Sequence, residues 1–498
     1  MPVYDGAIVL ELSNTKKAIN ADKGSIIMRP LATFALHETM LERSIPSTVI
    51  NYVEYWNANE LADHLATWCN NHGVTRPVVL CSTLFNNTLL HTDTAAYKVI
   101  AKLKLNYDIT VVVGGPNNNF KFKDLIPDVM FLGRSLHLFK QWLDGEHIEG
   151  KVSNEYGSTV YRPLLESSIV EKPIVTDLYD DYCLQPTDVV GFETRLGCKF
   201  NCSFCAFEFR NATTTQNAGT PALVHFFQKA KTYGLTHFNC VDDTLNEDAE
   251  KLTLLADAVE QLDYQPKISA FIRFDVLTSK GNSQMELLDR AGVHYHFWGT
   301  ETFHPEASKG IKKKMNRETS FKTMTYIKET YPHWFRYATH IVGLPKEPTS
   351  HIKESVAYIH DNDLAVLMVL PLQLERIVGR SKATESDFTA KPEQYGITIT
   401  GLIGPNNTLL DVNATEIPGT AYYGQDYNYG WEHAECDHYD ASMLATRLHG
   451  AGVRKGKVVI DTFAKICEDA LGDVTPEEHI QSYIVLKKAR LSLVAVNL

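Results

Sequence analysis

The feature that most constrains this chain is an alternation of short apolar runs with amphipathic stretches, begun near the N-terminus and begun again near residue 189. In the first series, Ala7–Leu12, Ser47–Val53, Pro77–Ser82, Thr110–Val113 and Val129–Leu132 read as short buried strands, with Leu61–His72 and Thr94–Leu105 as helices between them. In the second, Val189–Thr194, His237–Val241, Lys267–Phe274, His294–Trp298, Tyr337–Val342 and Ala365–Leu370 read as strands. Ala222–Tyr233, Asp248–Leu262, Ser283–Ala291, Ser320–Tyr331 and Thr349–Asp361 read as the helices joining them. Strand–helix alternation lays down a parallel sheet joined by right-handed crossovers.

The expected fold class is therefore α/β in three parts. Residues 1–145 are expected to form a Rossmann-like, doubly wound domain. Residues 146–187, polar and carrying Lys172-Pro173 and Gln185-Pro186, read as a linker. Residues 188–397 supply six βα units, two short of a closed eight-fold barrel, and so predict a partial (β/α)6 barrel. Residues 398–498 mix Gly/Pro/Asn loops with helices over Ala441–Leu448 and Val458–Leu471, and read as an α+β cap.

Length and composition set the outer limits. A chain of 498 residues exceeds a single ordinary core. At 44 % apolar and 22 % charged it has the make-up of a folded globular protein. The net charge of −12 opposes non-specific attachment to nucleic acid or to an anionic membrane, although it leaves room for a local basic groove. No run of about 18 apolar residues predicts a membrane span, and Met1 to Gly6 lacks the basic segment of a signal peptide. Nine cysteines, six of them scattered singly, suit a reducing cytoplasmic compartment.

The other three cysteines lie together in Gly197-Cys198-Lys199-Phe200-Asn201-Cys202-Ser203-Phe204-Cys205. This C-x3-C-x2-C spacing lets three soft thiolates turn inward from one loop, the ligand set that zinc and iron–sulfur clusters take. A closed zinc site needs a fourth ligand, and no Cys or His follows at the usual short spacing. Three cysteines suit a four-iron cluster with one iron left open. Directly after the first barrel strand, the loop stands at the strand's C-terminal end, where barrel sites form.

The spacing, the aromatic Phe204 before the last cysteine and the barrel that follows resemble the radical S-adenosylmethionine superfamily. The resemblance implies a 4Fe-4S cluster on Cys198, Cys202 and Cys205, and S-adenosylmethionine bound at the open iron. It also implies one-electron reductive cleavage to a 5′-deoxyadenosyl radical, with an electron donor such as flavodoxin or ferredoxin. Asp242 and Asp243 in Val241-Asp242-Asp243-Thr244 resemble the segment that meets the methionine ammonium, although Asp and Thr also suit a helix N-cap there. By the same resemblance Arg273 is expected on the methionine carboxylate, Glu301 on the ribose and Gly343 against the adenine; the alternatives are an ordinary barrel-rim ion pair for Arg273, a solvated face for Glu301 and a simple strand-ending turn at Gly343. Lys309 to Arg317 carries five basic residues, suiting a phosphate or an ordinary solvated face. Trp431-Glu432-His433, with Cys436 and His438, matches no standard zinc spacing and reads as a packed capping loop.

The domain order resembles one subgroup, with an N-terminal cobalamin-binding-type domain. Arg29-Pro30-Leu31-Ala32, Ser82-Thr83-Leu84-Phe85 and Val111-Val112-Val113-Gly114-Gly115-Pro116 match its usual segments. The chain departs from it in lacking D-x-H-x-x-G and in carrying Gly133-Arg134-Ser135-Leu136 where an acidic stretch is common. Cobalamin is thus left open. With it, the resemblance implies methyl transfer to an unactivated carbon; without it, rearrangement, epimerisation or oxidation. A transfer-RNA methylthiotransferase would need three more cluster cysteines near the N-terminus, where only Cys69 and Cys81 lie. A non-catalytic metal-bearing binding protein is the remaining alternative. The substrate is not legible.

Overall fold

The computed structural model describes all residues except 1–3, 13–26, 83–92, 116–124, 149–150, 154–156, 162–171, 208–215, 377–384, 404–408, 411–426, 455–460 and 494–498. The chain divides into two compact units. One comprises residues 1–192, 228–237 and 467–498; the other comprises 193–227 and 238–466.

The first unit is built on a twisted sheet of β1 (Gly6–Glu11), β3 (Ser47–Ile50), β4 (Pro77–Ser82), β5 (Thr110–Gly115), β6 (Val129–Leu132), β7 (Val152–Ser153) and β8 (Thr159–Tyr161), in the order β3-β1-β4-β5-β6-β8-β7. All neighbours are parallel except β7 with β8. The reversal of strand order beside β1 makes this the doubly wound arrangement. β7 and β8 come from the stretch whose polarity suggests a linker; they extend the sheet instead. Two further strands, β2 (Met28–Arg29) and β9 (Val189–Phe192), pair in parallel with each other.

Local chemistry fixes the helices on this sheet. The helix Ala58–His72 starts where the Asn57 side chain accepts from the Asn59 and Glu60 amides. It stops at Gly73, whose φ of +65° a side chain would resist. Its Leu61, Leu65 and Trp68 pack into one core with Ile8, Leu10, Val79 and Val111 of the sheet. Ile480, Tyr483 and Ile484 of the C-terminal helix Pro476–Leu491 belong to that same core.

The second unit carries β10 (His237–Cys240), β11 (Lys267–Arg273), β12 (Val293–Glu301), β13 (Phe335–Val342) and β14 (Val366–Pro371), consecutive neighbours in one sheet. The pairs β11–β12, β12–β13 and β13–β14 are parallel in register. Helices Ala249–Val259, Asn282–Arg290, Arg317–Thr330 and Thr349–Asp361 fall in the gaps between successive strands. These strands, alternating with helices, have the make-up of a partial barrel. The cap adds a small antiparallel sheet of β15 (Leu374–Arg376), β16 (Thr398–Ile403), β17 (Leu409–Leu410) and β18 (Tyr427–Glu432), in the order β15-β18-β16-β17, and the helix His438–Arg454. No described helix is long and apolar enough to cross a membrane.

Candidate metal centre

The cysteine loop is tied down at its start by a buried charge network. Asp242, just past β10, accepts from the Thr194 amide at 2.7 Å, the Arg195 amide at 3.2 Å and the Thr194 hydroxyl. Its other partner is Lys251, 2.9 Å away, and both side chains are fully buried. Lys251 also donates to Glu247 at 3.1 Å and to the Thr244 carbonyl at 2.7 Å. Burial alone would lower the Lys251 pKa, but the two carboxylates carry it above the usual lysine value. Glu247 in turn accepts from the Arg195 guanidinium at 3.1 Å and the Lys199 amide at 3.0 Å. Further along, the Ser203 carbonyl accepts from the Phe388 amide, and its hydroxyl accepts from Tyr395.

Within this frame the three cysteines are free thiols, each half-buried. Gly197 turns the chain with φ of +84°, and the Cys205 amide donates to the Cys202 carbonyl at 3.1 Å. Each sulfur has a partner on hand. The Sγ of Cys198 lies 3.5 Å from the Thr244 hydroxyl, Cys202 accepts from Arg273 at 3.0 Å, and Cys205 accepts from the Phe207 amide at 3.4 Å. Burial raises the Cys198 pKa, opposed by the Thr244 contact. Among the described residues no three Cys, His, Asp or Glu side chains are gathered as a single metal ion requires. A tetrahedral zinc needs such a gathering, at ligand distances of about 2–2.3 Å, whereas a four-iron cluster takes one thiolate per iron. Three soft thiolates on one loop are a donor set that suits such a cluster.

The other expected site residues differ in how they are placed. Phe204 is half-buried within the loop. The Asp242 carboxylate faces into the buried network, while Asp243 beside it is half-buried. The guanidinium of Arg273 is clamped rather than open: Nε and Nη2 reach Asp275 at 2.7 and 3.1 Å, and Nη2 also reaches the Lys312 carbonyl at 2.9 Å.

Glu301 ends β12 at φ of +57°, where the β12–β13 register shifts past Gly299. One carboxylate oxygen lies 3.1 Å from the Lys313 ammonium; the other is buried with no hydrogen-bond partner among the described residues. Burial raises its pKa, with Lys313 opposing. An unpartnered buried acceptor at a strand's C-terminal end is an open position for a donor on a ligand. Gly343, at φ of +93°, follows β13, and a Cβ there would stand 2.4 Å from the Trp431 ring. The close approach that needs glycine is therefore made by the cap's Trp431.

Sequence reasoning missed Lys251, Glu247, Asp275 and Lys313. Only Lys313 had a local signal: Ile311, Lys313 and Met315 alternate with exposed Lys312, Lys314 and Asn316. The basic run is thus not one face, since Lys313 turns in to Glu301 and Lys312 pairs with Asp387. In the cap, Trp431 donates to the Leu372 carbonyl at 3.1 Å and stacks on His433, which meets the Gly343 carbonyl at 2.9 Å. Burial pushes the Cys436 thiol up to about 11. Those contacts are the packing of a capping loop.

The fold is similar to that of solved radical S-adenosylmethionine enzymes that bind cobalamin. TsrM from Kitasatospora setae, a radical S-adenosylmethionine methyltransferase with tryptophan substrate and the analogue aza-SAM bound, superposes with a TM-score of 0.61 over 98 % of this chain and 99 % of its own, at 13 % identity. The same enzyme with cobalamin and a [4Fe-4S] cluster bound gives 0.57 over 89 % and 91 %, at 13 % identity. OxsB, a cobalamin-dependent S-adenosylmethionine radical enzyme with aqua-cobalamin and S-adenosylmethionine bound, gives 0.50 over 79 % of this chain and 56 % of its own, at 12 % identity. No protein-family model and no curated protein sequence matches the chain.

Proposed function

We propose that the chain is a radical S-adenosylmethionine enzyme, with a 4Fe-4S cluster held by Cys198, Cys202 and Cys205. The observation that carries this reading is the cysteine loop itself: three half-buried thiols, each with a hydrogen-bond partner, on a loop fixed by a buried Asp–Lys–Glu network. When bound, the cluster supplies one electron to cleave S-adenosylmethionine and begin radical chemistry on a substrate.

The protein's own residues hold and orient. Asp242 serves as a positioning residue that fixes where the loop begins, and the carboxylate of Asp243 beside it would attract the methionine ammonium. Glu301, with one oxygen on Lys313 and one unpartnered, accepts from a ligand hydroxyl such as those of the ribose. Phe204 and the Trp431-covered turn at Gly343 shield the site from water. A low-potential one-electron donor of the flavodoxin or ferredoxin type supplies the electron, and the compartment is cytoplasmic.

Cobalamin in the doubly wound unit, and with it methyl transfer, is the leading course of the reaction. It rests on the resemblance of fold and on the match at Arg29–Ala32 and Val111–Gly115; Thr83–Phe85 and Pro116 lie outside the described residues. Without cobalamin the same radical start leads to rearrangement, epimerisation or oxidation.

Anaerobic reconstitution tests this. The wild type is expected to take up about four irons per chain and, once reduced with S-adenosylmethionine, to release 5′-deoxyadenosine. Cys202→Ala is expected to abolish both. Cobalamin that co-purifies or binds directs the substrate search to methyl acceptors. A protein that holds about one zinc and makes no deoxyadenosine overturns the proposal in favour of a metal-bearing binding protein.

A further inference from the structure

The Arg273 guanidinium is held too completely to be a ligand clamp. Of the five N–H donors an arginine carries, four are committed: two to Asp275, one to the Lys312 carbonyl and one to the Cys202 sulfur at 3.0 Å. Its face is covered as well, because the Phe200 ring lies 3.9 Å from Cζ. The backbone beneath is pinned in both directions. The Arg273 amide donates to the Asn246 side chain at 2.7 Å, and the Arg273 carbonyl accepts from it at 3.0 Å. Asn246 is itself held by two bonds to Gln284. The one remaining N–H cannot give the forked, two-bond recognition of a carboxylate that favours arginine. Arg273 stands in the ion pair that is its alternative reading, here with Asp275.

We infer that Arg273 is instead a fixed cationic partner of the Cys202 thiolate that raises the reduction potential of the cluster and so eases its one-electron reduction. This rests on the cluster reading above. Taking up an electron adds one negative charge to a cluster already carrying three thiolates. A positive charge hydrogen-bonded to one of those sulfurs favours the more negative, reduced state. Because Arg273 is buried, that interaction is weakly screened. Asp275 offsets part of the charge but also aims it. Both Asp275 oxygens are spent on Nε and Nη2, which leaves Nη1 directed at Cys202. The electron comes from the external low-potential donor, and no bond in the protein is made or broken.

The test is a potentiometric titration of reconstituted protein followed by EPR of the reduced cluster, with iron content measured on each sample. Arg273→Met, neutral and of similar length, is expected to keep about four irons. Its midpoint should move at least tenfold in the reduction equilibrium toward the oxidised form, about 59 mV for one electron. Arg273→Lys, which keeps the charge without the fork, is expected to lie between the two. A Met variant with full iron and the wild-type potential overturns the inference. If the Met variant fails to hold iron, Arg273→Lys and Arg273→Gln are compared: a higher potential for Lys supports the inference, and equal potentials overturn it. Loss of iron in all three also overturns it, since Arg273 would then serve assembly. A wild-type protein that never binds four irons defeats the cluster reading itself and is recognised before any variant is made.

Discussion

At the scale of single residues, the site depends on a charge that faces no ligand. Lys251 stands fully buried between Asp242 and Glu247, whose remaining oxygens hold Thr194, Arg195 and Lys199. Removing one partner of a buried ion pair costs about 3–5 kcal/mol, because the other charge stays buried and unmatched. Lys251→Met is therefore expected to lower the urea midpoint and to release the cysteine loop, seen as poor iron uptake on reconstitution. Unchanged melting and full iron would show that the carboxylates manage without it. A second residue sets an acid limit on stability. His296 of β12 is fully buried, stacked on Trp334 at 4.1 Å, and burial pulls its pKa down to about 3 from 6.5. Between those two values the unfolded chain takes up a proton that the folded chain refuses, so stability falls as pH drops through the window. The slope from this one group is at most about 1.4 kcal/mol per pH unit. Urea titrations of His296→Phe are expected to depend less steeply on pH between 6.5 and 4 than those of the wild type. Parallel curves would remove His296 as the cause.

At the scale of elements, the cap and the barrel meet through a steric fit. Gly343→Ala would set a Cβ 2.4 Å from the Trp431 ring and 3.0 Å from the Ala441 Cβ, at a φ that side chains resist. The expected cost is about 2–4 kcal/mol, part steric and part backbone strain. In a double-mutant cycle, Trp431→Leu should recover the steric part only; full recovery, or none, would break the account. What the sequence disclosed follows the same division between local and distant. Barrel strands were legible because a buried strand is a continuous apolar run: Lys267–Phe274 is expected and Lys267–Arg273 found. β12 runs past the expected Trp298 to Glu301 because the register shift past Gly299 keeps it paired with β13. The cysteine loop was legible because its three cysteines are neighbours in the chain. The Arg273–Cys202 contact spans 71 residues and the His433–Gly343 contact spans 90, and no local pattern encodes either.

At the scale of the whole molecule, the C-terminal segment returns to the unit in which the chain begins. The helix Pro476–Leu491 escaped the sequence reading because its apolar Ile480, Tyr483, Ile484 and Leu491 are interleaved with Glu477, Glu478, Lys487, Lys488 and Arg490. Its start is nevertheless well marked: Thr475 and Glu478 form a reciprocal capping box with Pro476 at the first turn. Once formed, it supplies polar anchors as well as apolar area. The Tyr483 hydroxyl accepts from the Asn51 amide at 2.9 Å, and the buried Lys487 reaches Asp181 at 2.8 Å. His479 lies 3.1 Å from Asp188, the carboxylate that also takes two bonds from the fully buried Arg29. Ending the chain at Asp473 would strip all three anchors and open the core around Ile8, Leu10 and Leu65 to water. Hydrogen exchange on that truncated protein is expected to show lost protection at β1 and β4. Tyr483→Phe, which removes the hydroxyl alone, should keep protection there and cost about 1 kcal/mol. Protection at β1 and β4 that survives truncation would mean the doubly wound sheet folds without the returning helix, leaving its anchors as ornaments of a unit already stable.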